Sequence, residues 1–297
     1  MVDKINVDGS LLKNEQPIHK FEYQKEMQDI GITLDITTGH IFYNEKFQAF
    51  PLNCELIFVR HGETYGNCGQ GKANGAIDYA LVKANIKHKA KRIYQGNVDT
   101  EINQLTEYGK QQAITAAERL KSDLLEKGWK PDAIFVSPLA RAKDTALPFI
   151  TQNKFEDRCV ILEKIREMSF GAWENRRICD IPSNDPCHLF YREQNALVKS
   201  TEVYANGLKQ DGECFCDVLI RAHDVFYDLN NNHATKKTLM FSHSMFGAAC
   251  CILLGKGQRI ENGEYLAFDG QRANGKSYTI PLATPFILHT NISSVEM

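Results

Sequence analysis

The residues best suited to chemistry in this chain are Arg60, His61 and the glycine that follows them. Residues 56–59, Leu-Ile-Phe-Val, are all apolar and predict a buried strand that ends at this pair. Gly62 permits a tight turn and a close approach of the backbone to a ligand. His61 is therefore expected at the carboxyl end of a strand, where open α/β sheets bind ligands. An imidazole in that place can act as a nucleophile in phosphoryl transfer.

Phosphoryl transfer also requires positive charge around the phosphoryl oxygens, because a phosphomonoester dianion resists attack. Arginine suits this need best, since its fork of N–H groups binds two oxygens at once. Arg141 follows a second predicted strand, as Arg60 follows the first, and His243 ends a third. Residues at the carboxyl ends of separate strands can converge on one pocket. The sequence thus offers Arg60, His61, Arg141 and His243 as a phosphate site.

The run from Arg60 to Asn67, Arg-His-Gly-Glu-Thr-Tyr-Gly-Asn, resembles the opening signature of the histidine phosphatase superfamily, in its phosphoglycerate mutase-like branch. This family includes cofactor-dependent phosphoglycerate mutases and fructose-2,6-bisphosphatases. Later stretches resemble the family's other blocks in the same order. They are residues 94–96, 105–113, 137–146, 166–174 and 241–244. The resemblance spans about residues 54–290 and implies a metal-independent phosphomonoesterase that forms a phosphohistidine.

The resemblance implies a role for each matching residue. His61 becomes phosphorylated, and Glu167 protonates the leaving group and then deprotonates the hydrolytic water, which requires a raised carboxyl pKa. The residues implied in phosphate binding are Arg60, Asn67, Gln95, Arg141 and His243, and His243 is also implied in catalysis. Glu174 is an alternative acid, although the family pattern places it in a structural segment. The resemblance implies no metal and no cofactor.

Strands and helices are expected to alternate along most of the chain. Besides residues 56–59, strands are predicted at 132–136 and 238–242. One helix is predicted over about 106–128, and a second runs through Arg141 until Pro148 ends or kinks the helix. Two further helices are predicted, from about residue 213 onwards and over 246–254. This alternation predicts an α/β fold, a three-layer αβα sandwich around a mostly parallel sheet. Residues 265–268 and 278–280, which flank Gly-containing turns, predict an edge hairpin.

The chain divides by composition into an extension, residues 1–53, and a catalytic domain, residues 54–297. Residues 1–25 are polar and without pattern, so they are expected to be loosely ordered. Apolar residues alternate with polar ones around Thr37-Thr38-Gly39 and predict a β-hairpin within the extension.

Residues 68–93 form an insertion between the signature and the Gln-Gly block, where typical family members have only a handful of residues. Its basic residues are Lys72, Lys83, Lys87, Lys89, Lys91 and Arg92, against Asp78. Ile77, Leu81 and Ala84 are predicted to form the inner stripe of a short helix. Two interpretations remain open: a basic lid for a substrate with several anionic groups, or a helix whose charges simply face solvent.

Composition limits the partners and the compartment. The chain has 297 residues and a net charge of −2, which gives no general attraction to nucleic acid or to acidic membranes. Its nine cysteines are irregularly spaced, the first residues lack the apolar stretch of a signal peptide, and no run is long enough to cross a membrane. We therefore expect a cytoplasmic protein whose partner is a small phosphorylated substrate.

Three alternative functions compete with the phosphatase. Gly66 to Lys72 fits the Gly-x-x-x-x-Gly-Lys frame of a nucleotide-binding P-loop, but Ala73 lacks the hydroxyl that such loops place on Mg²⁺. A phosphoglycerate mutase or sugar bisphosphatase is a second alternative, although the run after Glu167, Met-Ser-Phe-Gly, differs from the one that mutases share. A phospho-ligand binding protein without activity is the third.

Overall fold

A computed structural model describes residues 17–72, 74–200, 203–205, 208–210, 212–260, 265–268 and 280–290. The helices are α1 (Pro17–Asp29), α2 (Tyr65–Cys68), α3 (Tyr79–Lys83), α4 (Glu107–Asp123), α5 (Ala140–Asn153), α6 (Cys187–Arg192), α7 (Phe215–Asn232) and α8 (Ser244–Leu253). The strands are β1 (Ile32–Leu34), β2 (Ile41–Tyr43), β3 (Glu55–Arg60), β4 (Ala133–Val136), β5 (Cys159–Ile161), β6 (Val203–Ala205), β7 (Leu208–Gln210), β8 (Lys237–Ser242), β9 (Gln258–Arg259), β10 (Leu266–Ala267) and β11 (Phe286–His289).

The main sheet has five strands in the order β11-β3-β8-β4-β5. Strands β3, β8, β4 and β5 are parallel, and β11 pairs antiparallel with β3 at one edge. In the register of β3 with β8, Arg60 lies opposite Ser242, so His61 and His243 follow neighbouring strands at the same end of the sheet. The expected convergence of these two histidines follows directly from this pairing.

Alternate residues of the central strands pack against different helices. Ile57 and Val59 share one core with Leu120 of α4 and Phe149 of α5. Leu56 and Phe58, which point to the other face, belong to a second and larger core. This core includes Val225 of α7 and Phe246 of α8. Helices therefore cover both faces of the sheet, which confirms the three-layer α/β sandwich.

Several elements differ from the sequence-based expectation. Helix α1 occupies residues that were expected to be loosely ordered, and its Met27 is buried in the larger core. Helix α5 continues past Pro148 to Asn153, so the proline does not end the helix, and the alternative of a kink stays a prediction. Strand β10 pairs antiparallel with β9, whereas the sequence predicts a hairpin with residues 278–280. Most of that expected partner lies outside the described residues.

The extension and the insertion are both folded against the sandwich. Strands β1 and β2 pair antiparallel where the sequence predicts a hairpin. In the insertion, α3 is the predicted short helix, but Ala84 is exposed, so the expected inner stripe is wrong at this residue. Ile77 packs instead with Ile93 and Ile102 in a small separate core. Within the described part of the chain, no helix is both long and apolar enough to cross a membrane.

Candidate active site

His61 lies directly after β3, and a cleft opens at this end of the sheet. The cleft holds about 540 Å³ of space between atoms, its open mouth included. Of the residues implied in function by the sequence, Arg60, His61, Asn67, Gln95 and Glu167 line it. They come from the end of β3 and the residue after it, from α2, from the loop that follows the insertion and from the segment after β5. The structure thus brings together five of the seven residues assigned to the site.

The backbone fixes the tautomer of His61. Its Nδ1 atom lies 2.7 Å from the carbonyl oxygen of Gly62, which can only accept a hydrogen bond. Nδ1 therefore carries the proton, and the lone pair of a neutral ring stays on Nε2. Burial, followed by the positive charges of Arg141 and Arg60, holds the pKa of His61 well below its usual value. Both effects keep the ring neutral and ready to attack phosphorus.

Gly62 is required for packing against α4. A Cβ atom at this position would lie 2.6 Å from the carbonyl oxygen of Gly109 in α4. The Gly62 N–H donates to the Thr145 hydroxyl at 2.9 Å, and this hydroxyl donates to the carbonyl oxygen of Arg141 at 2.7 Å. The loop that carries His61 is thereby held by both α4 and α5. The close approach predicted for this glycine is to α4.

Glu167 lies at the amino-terminal end of α8. Its carboxylate accepts hydrogen bonds from the backbone N–H groups of Ser244 at 3.0 Å, Met245 at 3.1 Å and Met168 at 3.0 Å. Burial is the largest influence and raises the pKa of Glu167, while these N–H groups and the charges of Arg141 and Arg60 oppose the rise. A raised carboxyl pKa in a cleft beside a neutral histidine is the arrangement that a general acid needs.

Arg141 is fully buried and is not among the residues that line the cleft. Its guanidinium donates to the carbonyl oxygens of Gly96 at 2.7 Å and Val98 at 3.4 Å and lies 3.9 Å from a carboxylate oxygen of Asp99. Its charge acts on His61 and Glu167, because it contributes to the pKa shifts of both. The contact of Arg141 with phosphate, expected from the sequence, stays a prediction.

His243 also lies behind the cleft wall. Its ring is fully buried, its centroid lies 5.3 Å from that of His61, and its Nε2 is 2.7 Å from the Ser137 hydroxyl. Among the described residues Nδ1 has no hydrogen-bond partner. Burial and the nearby charge of Arg141 hold the pKa of His243 well below its usual value. The ring is therefore neutral, and its phosphate contact, like that of Arg141, stays a prediction.

The two amide side chains of the site are held by defined contacts. The Gln95 carbonyl oxygen accepts hydrogen bonds from the Thr64 hydroxyl at 2.8 Å and from the Asn103 amide at 3.3 Å. Its Nε2 is buried and has no partner among the described residues, so it is available as a donor in the cleft. The side-chain oxygen of Asn67 accepts a hydrogen bond from the Thr64 backbone N–H at 3.4 Å, and this bond is part of the cap of α2.

Glu174, the rival candidate for the acid, also accepts hydrogen bonds from backbone N–H groups. It accepts N–H groups from Gly96 at 2.8 Å, Asn97 at 2.9 Å and Phe170 at 2.9 Å, and it is not part of the cleft lining. Burial raises its pKa to about 7 against the opposing effect of these bonds. This carboxylate joins the loop after Gln95 to the segment after Glu167, so we assign it a structural position.

Sequence reasoning missed several residues of the cleft and its support. Arg92 was one of several cations of the insertion with two interpretations left open, and it lines the cleft together with Tyr94 and Phe170. Ser137 and Thr145 stand in family-like blocks, but their contacts with His243 and Gly62 depend on tertiary structure. Gly66 to Lys72 do not have the structure of a P-loop, in which a helix follows the lysine. Residues 74–78, just beyond Lys72, are not helical.

This fold and this cleft define a histidine-centred phosphatase. Residues 56–272 match the profile of the histidine phosphatase superfamily (branch 1), and the chain belongs to this family. A mannitol-1-phosphatase of Eimeria tenella is 31% identical over 303 positions, covering 94% of this chain and 89% of that protein. A metal-independent phosphoserine phosphatase of Arabidopsis thaliana is 26% identical over 191 residues, covering 64% of this chain and 63% of that protein.

Solved structures with a related fold include a phosphoserine phosphatase of Entamoeba histolytica in complex with 3-phosphoglyceric acid. It is 21% identical, has a TM-score of 0.45, and the match covers 70% of this chain and 86% of that one. The family profile and the curated relatives, rather than this likeness, identify the chain as a phosphomonoesterase. The predictions of family, fold class and enzyme class from the sequence are confirmed.

Proposed function

We propose that this protein hydrolyses a small phosphomonoester through a phosphohistidine at His61, with Glu167 as the acid and base. The observation that carries the proposal is the bond from Nδ1 of His61 to the Gly62 carbonyl oxygen, within a cleft that also holds Arg60 and Glu167. It leaves Nε2 as the nitrogen with a lone pair. A catalytically silent protein would have no need to fix this tautomer beside a carboxyl of raised pKa.

The reaction proceeds in two half-reactions. The Nε2 atom of His61 attacks phosphorus, a P–N bond forms, the P–O bond to the leaving group breaks, and Glu167 gives its proton to the departing oxygen. Glu167 then takes a proton from a water molecule as this water attacks phosphorus. The P–N bond breaks, and inorganic phosphate and neutral His61 are restored. Arg60, Asn67 and Gln95 bind the phosphoryl oxygens from the cleft, while Arg141 and His243 add charge and hydrogen bonding from behind it.

The proposed reaction uses no metal and no cofactor, because neutral imidazole is already a nucleophile at cytosolic pH. The Arabidopsis relative is named a metal-independent phosphoserine phosphatase, which supports this part of the proposal. We also propose a cytoplasmic location, as expected from the sequence. All nine cysteines are unpaired thiols, as they would be in a reducing compartment.

For the substrate, we propose mannitol 1-phosphate as the first compound to test. The Eimeria relative that carries this name matches 94% of the chain. Phosphoserine and 3-phosphoglycerate are the comparison substrates, since their leaving groups carry a carboxylate that mannitol lacks. Net phosphate release without a bisphosphoglycerate primer would separate the proposal from the mutase alternative. Rapid interconversion of phosphoglycerates with little phosphate release would contradict it.

The phosphohistidine can be trapped directly. Brief incubation with a ³²P-labelled phosphomonoester and excess chelator, followed by quenching in base, should leave label on the wild-type protein that acid removes, as expected for a P–N bond. His61→Ala should abolish both label and turnover. His223→Ala is the matched control, because His223 lies on α7 and does not line the cleft. Chelator-sensitive turnover that survives His61→Ala would refute the mechanism.

A further inference from the structure

Arg92, the last basic residue of the insertion, lines the cleft that contains His61. Within the described part of the chain its guanidinium makes no hydrogen bond and no ion pair, and its Nε atom is buried without a partner. A buried arginine nitrogen that lacks a partner costs free energy in the free protein. The other N–H groups of this guanidinium can donate hydrogen bonds to a ligand that brings oxygen acceptors into the cleft.

The other cations of the insertion do not line the cleft. Lys87 is paired with Glu63, with Nζ 2.7 Å from the carboxylate, and also lies 4.7 Å from the ring centre of Tyr108. Lys83, Lys89 and Lys91 are exposed, and the structure gives their side chains no hydrogen bond within the described residues. The insertion therefore contributes one arginine to the cleft lining, and the basic lid stays a prediction.

Backbone pairing holds Arg92 at the cleft. Its carbonyl oxygen accepts the Ile178 N–H at 2.9 Å, Ile93 forms a bridge with Arg177, and the Tyr94 N–H donates to the Arg176 carbonyl oxygen at 3.0 Å. The end of the insertion thus forms a short ladder with residues 176–178.

The same wall is rich in apolar surface. Tyr94 and Phe170 line the cleft, and their ring centres are 4.9 Å apart. Ile178 and Met245 complete this surface. Apolar and aromatic walls with a few placed polar groups are typical of sites for small organic ligands. The carbon chain of a sugar or polyol can lie on such a wall while its hydroxyl oxygens accept hydrogen bonds from an arginine.

We propose that Arg92 is a substrate-binding residue that recognises the leaving group of the phosphomonoester, by donating hydrogen bonds to its oxygens. This inference rests on the phosphohistidine mechanism proposed above and adds the recognition of the leaving group. The ladder with residues 176–178 fixes the backbone position of Arg92.

The test compares mannitol 1-phosphate, 3-phosphoglycerate and an aryl phosphate in the wild type and three variants. Arg92→Ala should lower kcat/KM for mannitol 1-phosphate at least about tenfold more than for the aryl phosphate, mainly through KM, as expected for loss of a charged hydrogen-bond donor. Arg92→Lys should recover part of the loss, because lysine keeps the charge without the fork. Lys91→Ala, which removes an exposed charge from the adjacent position, should match wild type on all three substrates.

Trapping of the phosphohistidine and thermal unfolding are measured in parallel. Label at His61 in Arg92→Ala shows that the chemistry persists, so a failure of the selectivity proposal is distinguishable from a failure of the mechanism. Losses on mannitol 1-phosphate and 3-phosphoglycerate no larger than the loss on the aryl phosphate would overturn the proposal. Wild-type kinetics in Arg92→Ala would overturn it as well. If Arg92→Ala fails to fold, the losses in kcat/KM on mannitol 1-phosphate and on the aryl phosphate are compared between Arg92→Lys and wild type instead.

Discussion

The Nδ1 atom of His61 lies 2.7 Å from the carbonyl oxygen of Gly62, the next residue in the chain. The group that orients the nucleophile is therefore backbone, and no side-chain substitution removes it. In serine hydrolases a separate acid orients the histidine and stabilises its cation. Here the histidine attacks as a neutral ring, so a carbonyl that fixes the tautomer is sufficient, and neighbouring positive charge can be used for phosphate instead.

The first prediction concerns the acid side of the pH profile. Burial and the charges of Arg141 and Arg60 lower the pKa of His61 from 6.5, so the neutral nucleophile persists to lower pH than for a free histidine. After correction for the ionisation of an aryl phosphate substrate, kcat/KM should stay level as pH falls from about 7.5 to about 6.5. A decline within this window that follows a single ionisation of the free enzyme would contradict the assignment.

The second prediction concerns proton transfer by Glu167. Glu167→Gln should reduce kcat on an alkyl phosphate by about 10²–10³-fold, since an alkoxide needs a proton to leave. An aryl phosphate should suffer less, because its phenolate leaves more easily. Burial raises the pKa of Glu167, so wild-type kcat on the alkyl phosphate should fall as pH rises through that pKa. This alkaline decline should be missing in Glu167→Gln.

Glu174 supplies the matched control for this experiment. Glu174→Gln loses part of the acceptor set for the N–H groups of Gly96, Asn97 and Phe170, so it should lower the free energy of unfolding by about 1–3 kcal/mol. Its ratio of alkyl to aryl phosphate turnover should equal that of wild type. A changed ratio in Glu174→Gln with an unchanged ratio in Glu167→Gln would transfer the acid role to Glu174.

The third prediction concerns Arg141, which is buried and hydrogen-bonded to the protein. Arg141→Met would leave the carbonyl oxygens of Gly96 and Val98 without their donor, and we expect a loss of about 1–3 kcal/mol in the free energy of unfolding. Loss of its charge should also weaken binding of vanadate. Arg141→Lys keeps the charge, so it should retain more vanadate affinity than Arg141→Met at a similar cost in stability.

Thermal unfolding and vanadate titration of the two variants separate the roles of Arg141. Equal vanadate affinity in Arg141→Met and wild type would show that the residue is structural alone. Equal loss in both variants would mean that the guanidinium fork itself reaches the anion. The second result would require the buried side chain to move toward the cleft on binding.

Local patterns allowed the centre of the site to be predicted from sequence. The strand before His61 is a continuous apolar run, and the helix after Thr106 has buried apolar residues at 113, 117 and 120, as its spacing predicts. Both patterns arise within a few residues of the chain. The parallel order that brings His61 beside His243 follows from general rules for such sheets.

The features that sequence reasoning missed depend on distant contacts. The position of Arg92 is set by the pairing of residues 92–94 with 176–178, and neither segment has a pattern that reveals the other. Full burial of Arg141 reflects acceptors supplied by the loop at 96–98. Strand β5 is short and lies at an edge, with Val160 and Ile161 exposed, so it lacks the burial pattern of a core strand.

The last prediction concerns the surface charge of the insertion. Lys83, Lys89 and Lys91 are exposed and do not line the cleft, so they can act on a substrate only through a field that salt screens within about 8 Å. Their joint replacement by alanine should leave kcat/KM for mannitol 1-phosphate within about twofold of wild type and change the free energy of unfolding by less than about 0.5 kcal/mol per site. Steady-state kinetics at low and at physiological salt provide the measurement. A rise in KM at low salt that disappears at physiological salt would show that these lysines attract the substrate. That result would support the basic-lid interpretation of the insertion.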